Sequence, residues 1–273
     1  MTTTIISFLK NKPVILIDES YYIFNRYYAT CSWFKRKNED ELDHNNIIDN
    51  KEFIISFFRH FEADMIKIIK KFKTTKKNII FCTDCSRCDI WRNQFYDEYK
   101  ATRAKKANFN SEIFTIFKNY IFRNEYQYCD CDNLEADDIA YLLQKKIKNE
   151  IEKTFIVIIT NDSDYLQLFD TNVYIINMQF KDLSLKINYN PTTELQLKII
   201  FGDKSDNIPK IQYGLNKEKA LLLAKMTDEE LIKYLKKNNI LEKYNLNKKL
   251  VDLSQIPEEL TSLFYNKYHI NSI

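Results

Sequence analysis

Carboxylates crowd the start of a predicted helix in the segment NLEADDIAYLL, residues 133–143. Glu135, Asp137 and Asp138 fall within four positions, and helix-forming apolar residues follow them. One interpretation is helix capping, with Asn133 as the N-cap and the acidic residues favoured by the positive end of the helix dipole. Capping accounts for one or two carboxylates more easily than for three, because like charges this close repel each other. The cluster therefore has a second interpretation, as ligands of a cation.

The elements that must position these residues are predicted from hydrophobic patterning. Short apolar runs separated by helical patterns indicate a central, mainly parallel sheet flanked by helices, which is an α/β fold. The strands are predicted at residues 13–18, 78–84, 125–130, 154–160 and 172–177, and long helices at 51–73 and 139–150. Asn190-Pro191 is the clearest boundary signal, and the chain beyond it becomes largely helical. We therefore predict an α/β domain over residues 1–190 and a smaller α-helical domain over 191–273.

Carboxylates follow four of the predicted strands, at the edge where open parallel sheets form their sites. They are Asp18, Asp84, Asp130 with the cluster at 135–138, and the pair Asp162 and Asp164. A single aspartate in such a place is usually a turn residue, but carboxylates from four strands at one edge would repel strongly without a cation. No histidine lies near them in the sequence, so Mg²⁺ or Mn²⁺ fits better than zinc.

A cluster of cations and tyrosines follows the second predicted strand, in CDIWRNQFYDEYKATRAKK. Arg92, Tyr96, Tyr99, Lys100 and Arg103 recur at helical spacing, which would place them along one face of a helix. That face could be a solvated basic surface whose tyrosines pack on the core. It could also bind nucleic acid, with cations neutralising phosphates and rings stacking on bases. A metal cluster beside a phosphate clamp is the combination that phosphodiester hydrolysis requires.

Composition excludes several other classes of protein. The two glycines, Gly202 and Gly214, are too few for a glycine-rich phosphate loop. No apolar run approaches the ~18 residues of a membrane span, and the first residues do not form a convincing signal peptide. The net charge of +3 is too small to indicate a nucleic-acid partner by itself.

The cysteines suggest a metal site of another kind. The spacing Cys82-x-x-Cys85-x-x-Cys88 is compatible with zinc or an iron–sulfur cluster, but the remaining pair, Cys129-x-Cys131, is unusually tight for the second half of a four-ligand site. Reduced thiols in a cytoplasmic protein are therefore the expected state.

Five motifs, in order along the chain, resemble those of the flap endonuclease and 5′→3′ exonuclease family, in particular its phage, ribonuclease H-like branch. The matching segments are ILIDES, TDCSRCDIWRNQFYDEYKATR, LEADDIA, TNDSDYLQL and GDKSDNIP. They run from Asp18 to Pro209 and so cover most of the chain. The resemblance implies a metal-dependent 5′ nuclease with a helical arch near residues 92–112 and a C-terminal domain like a helix–three-turn–helix.

The resemblance also implies roles for individual residues. The implied ligands of the first metal are Asp18, Asp84, Glu135 and Asp137. The implied ligands of the second are Asp162, Asp164 and Asp203, with Asp137 as a candidate shared ligand. Asp138 and Asp206 match extra acidic positions of the branch, which act directly or through water. Lys100 and Arg103, assisted by Arg92, are implied to hold the scissile phosphate. The residues predicted to contact nucleic acid are Tyr96, Tyr99, Lys105, Lys106, Lys210, Lys217 and Lys219.

The sequence thus predicts a 5′ nuclease that uses two or more Mg²⁺ ions, with Mn²⁺ as a substitute, on 5′ ends or flaps of DNA and RNA/DNA hybrids, including RNA primers in replication. Gly214 is the only glycine after the Asn-Ile-Pro segment, where the family is usually glycine-rich, so whether the family's potassium (K⁺) site is kept stays open. Two alternatives stay open: a catalytically inactive, structure-specific DNA-binding protein, and a ribonuclease of related fold that acts on RNA.

The expected setting is that of a phage or other viral replication protein in an infected cell. We expect a cytoplasmic monomer without membrane contact. A sliding clamp and a single-strand-binding protein are candidate partners. The C-terminal segment LTSLFYNKYHI has a Leu-x-x-Leu-Phe spacing similar to that of clamp-binding peptides, although it could equally be a core helix end.

Overall fold

The computed structural model describes residues 4–9, 11–38, 44, 46–103, 108–151 and 153–272. Its strands are β1 (Thr4–Phe8), β2 (Val14–Asp18), β3 (Ile79–Cys82), β4 (Gln127–Cys129), β5 (Ile156–Ile159), β6 (Val173–Ile176) and β7 (Tyr268–Ser272). The main sheet is parallel and has the order β4-β3-β2-β5-β6. The chain winds outward from β2 in both directions, so a crevice is expected at the carboxyl end of β2.

Some of the helices cover the two faces of this sheet, and others form a separate core. The helices are α1 (Glu19–Asn38), α2 (Lys51–Phe72), α3 (Glu112–Arg123), α4 (Ala136–Glu150), α5 (Pro191–Phe201), α6 (Lys217–Ala224), α7 (Asp228–Lys237), α8 (Leu241–Val251) and α9 (Glu258–Lys267). Side chains alternate along each strand. Ile15 and Ile17 therefore pack with α1, α2 and α3, while Val14 and Leu16 pack with α4 and α9. The predicted α/β fold class and its strands are confirmed.

A third hydrophobic core lies among α5, α6, α7 and α8. Helix α5 begins at the predicted boundary, where the side chain of Asn190 accepts a hydrogen bond from Thr193 N (2.8 Å). The last residues return to the first core, because Phe264 of α9 packs there and β7 pairs in parallel with β1. The segment LTSLFYNKYHI is thus a packed helix end and strand. No helix within the described ranges is both long and apolar enough to cross a membrane.

The prediction of a continuous helix through residues 92–103 is wrong. Those residues form a short 3-10 helix at Trp91–Gln94 and then turns. Lys100 adopts a left-handed backbone (φ 55°), which an α-helix does not accommodate. The segment instead wraps its side chains around buried carboxylates, so helical spacing did not describe it. The arch residues Lys105 and Lys106 lie outside the described residues.

Candidate active site

The carboxyl ends of the central strands border an open cleft of about 630 Å³. The sequence-predicted site residues that line it are Asp18, Asp84, Lys100, Arg103, Glu135, Asp137 and Asp162. The sheet accounts for much of this convergence: Asp18 is the last residue of β2, and Asp84 follows β3 by two residues. The expectation that strand-end carboxylates meet at one edge is therefore met for these residues.

Hydrogen bonds fix Asp18 and Asp84 at the cleft. Thr160 Oγ1 donates to Asp18 Oδ2 (2.8 Å), which joins the ends of β5 and β2. Asp84 Oδ1 accepts from Ala136 N (2.8 Å) in the first turn of α4. Ser20 Oγ donates to the other oxygen of Asp84 (2.6 Å). The two carboxylates are thus held by the backbone and hydroxyl groups of the elements that surround the cleft.

Asp18, Asp84 and Asp137 carry no cationic partner. Among the residues that the structure describes, no lysine or arginine forms an ion pair with any of the three. Burial, reinforced by the Asp84 carboxylate, raises the pKa of Asp18 to about 7. Burial and the neighbouring carboxylates of Asp138 and Glu135 raise the pKa of Asp137 well above its usual value. Such charges favour a bound cation.

Glu135, in contrast, is surrounded by donors. Lys100 Nζ contacts its Oε1, while Arg92 Nη1 (2.9 Å) and the Tyr99 hydroxyl (3.0 Å) donate to its Oε2. Burial alone would raise the pKa of Glu135, but Lys100 and Arg92 lower it. Lys100 Nζ also lies 3.7 Å from Asp206 Oδ2. The Lys100 ammonium is therefore held between two carboxylates at the cleft.

Asp138 is completely buried and acts as an anchor for Arg92. The guanidinium donates to both Asp138 oxygens over 2.8 Å, and Trp91 Nε1 donates to Oδ2 (3.0 Å). Asp138 Oδ2 also accepts from Glu135 N (3.1 Å). The capping interpretation is thus right for Asp138, with Glu135 as the N-cap of α4. It is wrong for Asn133, which has a left-handed φ of 66°.

Arg92 does not line the cleft. It is 1% exposed, and its Nε donates to Leu250 O (3.0 Å) at the end of α8. The expectation that Arg92 assists at the phosphate is therefore wrong for a direct contact, because its donors are engaged inside the protein.

A second carboxylate group comprises Asp164, Asp203 and Asp206, whose ligand atoms lie within 4.8 Å of one another. Lys198, from α5, contacts Asp164 and lies 2.8 Å from Asp203 Oδ2. Arg103 contacts Asp206 Oδ1. Sequence reasoning missed Lys198, and the only signal was its place one helical turn before Gly202.

The loop GDKSDNIP presents Asp203 and Asp206 through a tight turn. Asp203 N donates to Ile208 O (2.9 Å), and Ile208 N donates back to Asp203 O (2.8 Å). Gly202 has a φ of 75°, and a Cβ there would lie 2.4 Å from Ile208 O. Only glycine fits this approach. Asn207 adopts the left-handed region at φ 60° and its side chain donates to Glu98 O (2.9 Å). This loop is therefore tied to the segment that carries Lys100.

Residues 13–195 match the family model of the "5'-3' exonuclease, N-terminal resolvase-like domain". This chain belongs to the 5′-3′ exonuclease family. It is 28% identical to the 5'-3' exonuclease of Mycoplasmopsis pulmonis, over 96% of this chain and 88% of that protein. It is also 28% identical to the 5'-3' exonuclease of Buchnera aphidicola from Acyrthosiphon pisum, over 74% and 67%. As a family member, it is an enzyme of the 5′→3′ exonuclease class.

Solved structures show the same fold. The bacteriophage T5 D15 flap endonuclease, in a complex with DNA and metal ions, superposes with a TM-score of 0.62 at 15% identity, covering 93% of this chain and 96% of that chain. The T5 D15 protein co-crystallised with metal ions gives a TM-score of 0.58 at 16% identity, covering 93% and 97%. The fold predicted from the sequence motifs is therefore confirmed for this member of the exonuclease family.

The tyrosines predicted to stack on bases pack into the protein instead. Tyr99 is 4% exposed and Tyr96 is partly buried, and both join the third core. Lys210 is also turned inward, because its Nζ donates to Leu215 O (2.7 Å). Lys217 and Lys219 are exposed in the first turn of α6. Of the described residues predicted to contact nucleic acid, these two lysines are the exposed ones.

Asp130 follows β4 but does not reach the cleft. Lys118 Nζ (3.0 Å) and Lys267 Nζ (2.7 Å) form ion pairs with it. Burial would raise the pKa of Asp130, but the hydrogen bonds from these lysines outweigh it and lower the pKa to about 2. This strand-end carboxylate therefore connects α3, β4 and α9 and is satisfied without a metal.

Among the cysteines, Cys85 lines the cleft beside Asp84 and Glu135. No cluster of three metal-ligating side chains in the described part of the chain includes a cysteine, and all six are free thiols. The structure thus provides no support for the zinc or iron–sulfur interpretation.

Proposed function

We propose that this chain is a divalent-metal-dependent 5′ nuclease that hydrolyses phosphodiesters at 5′ ends and flaps of DNA and RNA/DNA duplexes, and that it removes RNA primers during replication. The observation that carries the proposal is the set of carboxylates without cationic partners, Asp18, Asp84 and Asp137, facing a cleft that Lys100 and Arg103 also line. The similar T5 flap endonuclease was crystallised with DNA and metal ions, which supports the same substrate class.

The donors of the site fit hard divalent cations. They are carboxylate oxygens. Ligand atoms lie close together in two groups of described residues, Glu135 with Asp137 and Asp138, and Asp164 with Asp203 and Asp206, and neither includes a histidine or cysteine. Mg²⁺ or Mn²⁺ is therefore preferred over zinc. The first cation would be held by Asp18, Asp84, Glu135 and Asp137, and the second by Asp162, Asp164, Asp203 and Asp206. When bound, such cations lower the pKa of a water molecule and polarise the phosphate.

Lys100 and Arg103 would supply the protein's own positive charge to the phosphate. Lys100 is 8% exposed and held between Glu135 and Asp206, while the Arg103 side chain is 38% exposed and braced by Asp206. Cations that are already positioned stabilise charge that develops on phosphate oxygens without reorganising during the reaction. Asp138 and Arg92 would act beneath them by fixing the position of Glu135.

The helical segment after residue 190 would hold the duplex. Lys217 and Lys219 are exposed in the first turn of α6, so their ammonium groups and the positive end of that helix can face a phosphate backbone. Asp203 and Asp206 belong to the same segment. Binding of duplex and completion of the metal site would therefore involve one structural unit.

Cleavage of 5′-labelled flap, blunt-duplex and RNA-primed DNA substrates, in Mg²⁺ or EDTA, tests the proposal. Asp137→Asn removes a cleft carboxylate, and Asp130→Asn is the matched control because Asp130 also follows a strand but pairs outside the cleft. We expect Mg²⁺-dependent release of short 5′ products by the wild type and D130N. The cleavage rate of D137N should fall by at least ~100-fold, since loss of a residue that only hydrogen-bonds to a metal ligand already costs about 10–100-fold in activity or metal affinity.

Three results would contradict the proposal. Tight flap binding by the wild type without product in Mg²⁺ or Mn²⁺ would indicate an inactive DNA-binding protein. Preferred cleavage of single-stranded RNA would indicate a ribonuclease. Equal loss of activity in D137N and D130N would show that the cleft does not contain the catalytic carboxylates.

A further inference from the structure

Lys198 lies inside the second carboxylate group and has no part in the chemistry described above. Its Nζ contacts Asp164 Oδ1 and lies 2.8 Å from Asp203 Oδ2. The three side chains are shielded, with exposed fractions of 20% for Lys198, 14% for Asp164 and 15% for Asp203. The ammonium therefore lies between two carboxylates, where a divalent cation bound by the same oxygens would have to lie.

Hydrogen bonds to one carboxylate oxygen of Asp203 leave its other oxygen facing Lys198. Asp203 Oδ1 accepts from Ser205 N (2.7 Å) and Ser205 Oγ (2.6 Å), which leaves Oδ2 for the ammonium. Asp164 Oδ1 has no hydrogen-bond partner in the described structure other than this ionic contact. The second group thus has an internal counter-ion, whereas Asp18, Asp84 and Asp137 have none among the residues that the structure describes.

We propose that Lys198 is a built-in counter-ion of the second metal position, which holds Asp164 and Asp203 together in the metal-free protein and is displaced when a divalent cation binds there. The inference rests on the proposed function, because it assumes that these carboxylates bind a metal. An ammonium and a divalent cation repel each other strongly at the distance of shared ligand oxygens. Lys198 and the metal therefore compete for one place.

The structure offers the displaced side chain somewhere to go. Lys198 also lines a neighbouring cavity of about 240 Å³ between α5 and the 3-10 helix Ser163–Leu168. Leu166 and Phe201 contribute apolar walls to it. A lysine stem packs well along apolar surface while its ammonium remains in water. Rotation into this cavity would clear the carboxylates without unfolding α5.

This competition makes the two metal positions unequal. A cation entering the first position meets Asp18, Asp84 and Asp137, which have no ion pair among the described residues, but one bound by both Asp164 and Asp203 must break the ion pairs with Lys198. A substrate phosphate near the second group could accept the displaced ammonium, so substrate and the second cation would each favour binding of the other. Full metal occupancy would then accompany substrate binding.

Mn²⁺ titration of the whole protein by calorimetry, without substrate, tests the proposal. The wild type should show a tighter and a weaker binding event, and Asp203→Asn should abolish the weaker one. Lys198→Met should tighten the weaker event by about 10-fold, equivalent to 1.4 kcal/mol, and leave the tighter event unchanged. Lys198→Arg keeps the charge and should resemble the wild type.

The matched control is Lys148→Met. Lys148 also pairs with an aspartate, Asp170, but at an exposed surface site (27% and 54% exposed side chains). K148M should change neither binding event. An unchanged or weaker second event in K198M would overturn the inference.

Thermal unfolding provides a readout that does not depend on resolving two binding events. In EDTA, K198M should lower the midpoint more than K148M does, because it leaves Asp164 and Asp203 uncompensated. In saturating Mn²⁺ that deficit should disappear. An equal deficit under both conditions would show that Lys198 is not displaced. A wild type that binds no Mn²⁺ would refute the proposed function itself, whereas two events insensitive to K198M would refute only this inference.

Discussion

Replacing Arg92 by methionine tests whether this residue is an internal anchor or a contact for substrate. Its side chain is 1% exposed and donates to Asp138 over two bonds of 2.8 Å, to Glu135 over 2.9 Å and to Leu250 O over 3.0 Å. Methionine retains most of the stem volume. It leaves two buried carboxylates without this cation.

The size of the effect follows from burial. Removing one member of a buried ion pair costs about 3–5 kcal/mol, because the partner stays buried with its charge uncompensated. This is a large part of the about 5–15 kcal/mol that stabilises a typical domain. Neutralising the partner should recover some of the loss, so the double variant R92M/D138N should be more stable than additivity predicts, by at least ~1 kcal/mol.

Urea denaturation followed by circular dichroism, at pH 7 in excess EDTA, measures these differences without a contribution from metal binding. Arg92→Lys keeps the charge but loses the two-bond contact with Asp138, and should fall between the wild type and R92M. A loss of less than ~1 kcal/mol in R92M, typical of surface substitutions, would refute the anchoring role. Strict additivity in the double variant would refute the coupling. Either result would show that Arg92 does not hold Glu135 and Asp138 in place.

Two further predictions concern the frame around the cleft. Because the pKa of Asp130 is lowered to about 2 from its ordinary 3.8, the stabilisation that its ion pairs provide is present above pH 4 and lost as the pH falls through about 2. The free energy of unfolding of D130N at pH 7 should therefore be about 1–2 kcal/mol lower than that of the wild type, after allowance for partial exposure. Urea denaturation should show this difference between the two proteins narrowing below pH 4, and a difference that does not change with pH would contradict the prediction. Gly202→Ala should lower the free energy of unfolding by about 2–4 kcal/mol in the same assay, since the added Cβ would lie 2.4 Å from Ile208 O. Unchanged stability and Mn²⁺ binding would show that the loop tolerates a side chain.

The sequence predicted the sheet because buried parallel strands are nearly continuous apolar runs. It also predicted the cleft, since parallel strands bring their carboxyl ends to one edge and Asp18 and Asp84 lie at those ends. The helix prediction for residues 92–103 failed for a physical reason. Helical spacing assumes that a segment packs as a cylinder, but buried contacts to residues distant in the chain fixed Arg92 and Lys100 individually.

The pairing of charges could not be predicted from spacing. Arg92 meets Asp138 across 46 positions and Leu250 across 158, and such contacts depend on how α4 and α8 pack. Asp130 resembled the cleft carboxylates in its position after a strand, yet it faces Lys118 and Lys267. Lys198 was missed because, apart from its place one helical turn before Gly202, nothing local distinguishes it from a solvent-facing helical lysine.

Counter-ions, rather than acidic residues, distinguish the parts of this site. All nine predicted carboxylates look alike in the sequence. In the structure, Asp138 is fixed by Arg92, and Asp164 and Asp203 share Lys198, so their repulsion is compensated internally. The repulsion among Asp18, Asp84 and Asp137 is not compensated by a described cation. This costs stability in the metal-free protein but gives an incoming cation its strongest attraction. The buried cations thus hold the surrounding carboxylates in place around the uncompensated ones, which line the same cleft.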